Sequence, residues 1–159
     1  MILGMSTAMY TLVHVVISLL GIASGLVVAI GMLDDRRLDA WTALFLLTTI
    51  ATSATGFGFP FDHLLPSHIV GIISLVVLGV AVVARYGYGL GGAWRVVYVV
   101  TAMIALYLNV FVLVVQSFLK IAPLHALAPT QTEAPFQIAQ LAVLITFVVL
   151  TIAAARRFR

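Results

Sequence analysis

His14 and His68 each stand in a long apolar run, and each is followed eleven residues later by a glycine, Gly25 or Gly79. Two imidazoles on parallel helices, beside faces thinned by glycine, are an arrangement that ligates a b-type haem from both axial sides. His63, His125, Asp62 and Glu133 fall in the polar stretches between apolar runs. Imidazole with carboxylate is a donor set for zinc or copper. Asn109, Gln116 and Lys120 are spaced by seven and four, which puts them on one helical face. With Gln137 and Gln140 they are candidates to line a ligand cavity. Each has a structural alternative: loop histidines sit in water, amides bond between helices, and a lysine near a helix end reaches for the interface. His14 is the harder case for that alternative, because an ionisable group inside an apolar layer is costly and usually faces the bundle interior.

No motif fixes a reaction. There is no HExxH, phosphate-binding loop, CxxCH or serine in a nucleophile elbow. The chain has no cysteine, which excludes disulfides, thiolate metal sites and iron–sulfur clusters.

The elements that must carry these residues are set by composition. The 159 residues are 64% hydrophobic and 8% charged, with a mean hydropathy of +1.23. A soluble domain carries roughly a quarter charged residues, so this chain lacks the polar surface to coat a water-facing globule. Five stretches approach the roughly 20 apolar residues that cross a bilayer: about 8–32, 41–59, 68–86, 95–119 and 136–155. The second is diluted by Thr48, Thr49, Thr52, Ser53 and Thr55, whose hydroxyls can bond carbonyls a turn earlier. The run from Ala8 is too long, and lacks the basic start, for a cleavable signal. The expected fold is therefore all-α, one domain over 1–159, a polytopic bundle of five transmembrane helices.

Charge orients it. With five spans, Arg36, Arg37, Arg85, Arg95, Arg156, Arg157 and Arg159 share one side, and Lys120 alone lies on the other. The positive-inside rule then places the N-terminus outside and the C-terminus in the cytoplasm. The net charge of +3 is explained by topology and gives no reason to expect nucleic acid. All five prolines fall in or at the edges of the two outer loops. Trp41 and Trp94 are expected at the inner interface and Tyr10 near the outer one, as an aromatic belt. Gly21 and Gly25 form a GxxxG pair, read as packing within the bundle ahead of dimerisation.

The segments NVFVLVVQSFLKIAPLHALAPTQTEAPF, 109–136, and GFGFPFDHLLPSHIVGIISL, 56–75, resemble recurring stretches of a group of small uncharacterised bacterial inner-membrane proteins. That resemblance implies a bacterial inner membrane and brings no activity. Size and span count are similar to the translocator-protein family, but its tryptophan-rich motifs are missing and its ligands are not carried over.

Three functions stay open. One is a redox or cofactor protein holding haem b or a transition metal at His14 and His68. A second is a transporter, channel or ligand receptor whose cavity is lined by the Asn109 stripe and the threonine face of the second span, with Lys120 attracting an anionic group. A third is an accessory subunit or assembly factor, as a homo-oligomer or in a larger membrane complex.

Overall fold

The computed structural model describes residues 2, 4–60 and 66–159, and among these every extended element is helical. In order they are α1 (Thr7–Leu33), α2 (Asp39–Gly56), α3 (Pro66–Val82) continued by a π-helical turn (Val83–Gly87), α4 (Trp94–Lys120), the short α5 (Ala122–Leu127) and α6 (Ala134–Arg157). Ser6 caps α1 by accepting from the Met9 amide at 3.2 Å. Pro135 sits in the first turn of α6, where its missing N–H costs nothing.

α1, α3 with its π turn, α4 and α6 are each long and apolar enough to cross a membrane, the plan of a multi-pass membrane protein. α2 is shorter, 18 residues or about 27 Å, and its hydroxyls lower its hydropathy. Leu12, Leu47, Val76, Ile138 and Val149 are more than half exposed on the outside of the helices. Lipid covers such a surface; water would not.

Successive long helices run antiparallel. Tyr10 meets Thr55 while Gly31 meets Leu38 across α1 and α2. Ser53 meets Ser74 while Asp39 meets Arg85 across α2 and α3. Phe118 meets Phe136 while Tyr98 meets Phe158 across α4 and α6. Arg36, Arg37, Arg85, Arg95 and the C-terminal arginines therefore gather at one end of the bundle, where the Arg159 amide donates to Asp35 at 2.5 Å. His14, His68 and Lys120 lie toward the other.

The packed core occupies the arginine half. α4 is its axis, with Tyr98, Val99, Ala102, Leu106 and their neighbours buried against Val28, Met32, Phe45, Leu78 and Phe147. Arg85 is buried here too. Its guanidinium bonds Asp39 and the Arg37 carbonyl and lies 5.2 Å from the Tyr98 ring centroid. Tyr98 and Arg85 thus anchor the last turn of α3 to α4. Tyr10 departs from the aromatic-belt expectation. It is buried, and its hydroxyl donates 2.7 Å to the Thr55 carbonyl, because Gly58 leaves its ring room inside the bundle.

The two glycines that follow the histidines do different things. A Cβ on Gly25 would lie 2.5 Å from Leu106 Cδ1 and 2.8 Å from Phe45 Cδ2, so α1 approaches both α2 and α4 here because no side chain intervenes. A Cβ on Gly79 would meet nothing within 4 Å. Gly25→Ala is expected to destabilise the purified protein by about 1–3 kcal/mol, while Gly79→Ala leaves stability unchanged or raises it by up to about 1 kcal/mol. Thermal unfolding in detergent checks this, and equal midpoints for the two variants would contradict the packing.

Candidate functional site

Above Gly25 the apolar filling gives way to a cavity of about 550 Å³ among α1, α2, α3 and α4. A cavity of that size is typical of small-molecule sites. His14, His68, Asn109, Gln116 and Lys120, five of the residues singled out by spacing, all line it.

His14 comes from the second turn of α1. Its Nδ1 lies 2.8 Å from Thr55 Oγ1. The Thr55 hydroxyl already donates to the Ala51 carbonyl at 2.7 Å, so it can only accept from the imidazole. The neutral ring therefore carries its proton on Nδ1 and keeps the lone pair on Nε2. Phe59 packs edge-on at 5.2 Å and fixes the ring plane. His68 opens α3, is buried, and lies 5.5 Å from the Phe57 ring. Pro66 begins that helix, which sets where His68 enters the bundle.

The floor of the cavity is polar without being charged. Asn109 and Thr49 line it, and Asn109 Nδ2 and Thr49 Oγ1 are buried with no hydrogen-bond partner. Gly21 lies between them: a Cβ there would sit 3.1 Å from Thr49 Oγ1 and 3.3 Å from Asn109 Nδ2. The walls combine Leu19, Ile22 and Val112 with hydroxyls from Ser18, Ser53 and Ser74. Sequence reasoning singled out the hydroxyl face that carries Ser53 but passed over Ser18 and Ser74. The spacing of His14, Ser18 and Ile22, a single face of α1, carries the signal for Ser18.

Other expected site residues lie elsewhere. Gln140 Nε2 donates 3.2 Å to the Phe111 carbonyl and ties α6 to α4. Gln137 is exposed and bonds the Thr132 carbonyl at 2.7 Å. Neither lines the cavity. Their positions in the first turns of α6 turn them toward the α4 backbone and the outer loop instead.

The four residues considered for a metal do not form a described cluster. His125, exposed on α5, engages the Phe118 carbonyl through Nδ1 at 3.2 Å. Glu133 accepts from the Thr130 hydroxyl at 2.8 Å and from the Thr130 and Thr132 amides, closing the turn into α6. Desolvation pushes its carboxyl up, but those hydrogen bonds outweigh it and hold the group below the ordinary range. Asp62 and His63 lie outside the described residues. Among the described residues no three histidine or acidic side chains are grouped to hold a metal ion.

The Thr55 contact makes a direct prediction. Nitrogen NMR of histidine-labelled protein, with His14 assigned by His14→Gln, should show the Nδ1–H tautomer. Thr55→Val should shift that signal and lower stability by about 1 kcal/mol, since it removes the hydrogen bond from the half-buried imidazole. An Nε2–H tautomer for His14 would contradict the arrangement. No family model, curated protein or solved structure matches this chain.

Proposed function

We propose that this chain is a multi-pass protein of the bacterial inner membrane that binds a small solute in the cavity among α1, α2, α3 and α4, as a receptor or transporter. In this reading it crosses the bilayer five times, with the N-terminus outside and the C-terminus in the cytoplasm. One observation carries the proposal: helix-borne polar residues from three separate elements, His14, His68, Asn109, Gln116 and Lys120, converge on one cavity.

Two further features support the crossing number. α2 packs between α1 and α3 in antiparallel order, and about 27 Å of helix nearly matches a hydrocarbon core of roughly 30 Å. The arginines lie at the end opposite the cavity, as a cytoplasmic end requires.

Haem b or a metal held by His14 and His68 has less behind it. Neither Gly25 nor Gly79 lines the cavity, so the two glycines that the spacing paired with these histidines make no room beside them; Gly56 and Gly71 line it instead. The mixed lining of hydroxyls, amides and one lysine suits an organic solute.

The chain contains no cysteine, so any introduced thiol reports alone. Thr132→Cys and Ser18→Cys should both react with a membrane-impermeant thiol reagent added to intact spheroplasts. Gly91→Cys should react only in inverted vesicles. Labelling of Gly91→Cys from outside would overturn the topology. An unreactive Ser18→Cys beside a reactive Thr132→Cys would remove the outward-open cavity.

A further inference from the structure

At the two ends of this cavity the uncommitted groups of Lys120, Asn109 and Thr49 offer protons, while the His14 Nε2 on its wall is an acceptor. Among the described residues no Asp or Glu lines it, while Lys120 does. The one ion pair among the described residues joins Arg85 to Asp39 at the far end, and among those residues Lys120 has no carboxylate partner. At the floor, Asn109 Nδ2 is a donor by nature, and Thr49 is a donor by exception. The other cavity-facing threonine of that helix, Thr52, and the flanking Thr48 and Thr55 each return their hydroxyl proton to a carbonyl four residues back, at 2.9, 2.7 and 2.7 Å. Thr49 does not, though it is 1% exposed. Two buried groups left unbonded, side by side over a glycine, are costly unless a ligand oxygen completes them.

We propose that the cavity takes an amphipathic organic anion, with its carboxylate at Lys120 and a neutral acceptor oxygen seated on Asn109 and Thr49. This rests on the reading of the cavity as an outward-open solute site. The assignment of ends follows from desolvation. The floor carries no charge and lies deep in the bundle, where an anion would go unpaired. Lys120 ends α4 and is exposed, so a carboxylate there keeps both a counter-charge and water. Between the poles the walls are apolar at Leu19, Val112 and Leu113. Eleven residues of helix separate Asn109 from Lys120, about 16 Å, which a medium-length acyl chain bridges.

The test uses Ser18→Cys protein in proteoliposomes. It compares modification by the sulfonate-bearing and the trimethylammonium-bearing methanethiosulfonates, each normalised to its rate with a free thiol. The anionic reagent should be favoured roughly tenfold. Lys120→Gln should abolish that preference and Lys120→Arg should keep it. Decanoate should protect the thiol and decanol should not. Decanoate bearing a terminal hydroxyl should protect at a concentration about fivefold lower than decanoate, the worth of one neutral hydrogen bond. That gain should vanish in Thr49→Val, and also in Asn109→Leu.

A charge preference unmoved by Lys120→Gln, or protection by decanol equal to that by decanoate, would overturn the anion assignment while leaving the cavity in place. Equal protection by the two acids would overturn the deep acceptor seat. Silence toward both reagents would remove the outward-open cavity, and the proposal with it.

Discussion

The close approach of α1 to α2 and α4 at Gly25 is the contact on which the rest of the bundle depends. In lipid, apolar surface gains little by moving from tails to side chains, so helices hold together through tight packing and hydrogen bonds. At Gly25 the ring of Phe45 and a methyl of Leu106 stand where a side chain would begin. Below it, toward the arginines, Val28, Met32, Tyr98 and Phe158 fill the interior. Above it, side chains of modest size and mixed polarity line the same axis without filling it. A bundle clamped at one end and hollow at the other follows from a single stripe of small residues on α1, Gly21 and Gly25, set between two different chemistries.

Hydrogen-bond supply sets which polar groups the hollow half presents. Most serines and threonines on these helices spend their proton on a carbonyl one turn back: Ser18 on His14, Ser24 on Leu20, Thr101 on Val97, Ser117 on Leu113. A hydroxyl used this way presents only an acceptor to its surroundings. Thr55 does so toward His14, and by accepting from Nδ1 it decides which imidazole nitrogen faces inward. Against this background of spent donors, those of Asn109 and Thr49 at the floor and Lys120 at the outer end lie at the two ends of one cavity.

Much of the fold is legible in the sequence because hydropathy and basic charge are local properties. Runs of apolar residues and the arginine clusters mark where helices begin and end, and their alternation predicts the antiparallel order. The convergence of His14, His68 and the Asn109 stripe is legible in part, since seven- and four-residue spacing defines a face. What spacing leaves open is where a face points. Gln137 and Gln140 share a helix with apolar neighbours, and only the rotation of α6 against α4 decides that Gln140 bonds the Phe111 carbonyl. Tyr10 reads as an interfacial residue until Gly58, far away in sequence, makes room for its ring. The loop helix α5 has six residues and two-sided exposure, too little pattern to announce itself.

The seal at Gly25 also separates the two readings of the cavity. A receptor needs only an outward mouth and a firm floor, and the packed arginine half supplies the floor. A transporter needs that floor to open, which means parting Phe45 and Leu106 from α1 along a close contact. Packed interiors yield by switching between discrete arrangements, not by stretching. The second arrangement would require a hinge on the inner side of the seal. The π-helical turn Val83–Gly87 is the described irregularity located there, but buried Arg85 pins it to Asp39, Arg37 and Tyr98. With the seal tight and the hinge anchored, the observed packing favours capture of a solute over its passage.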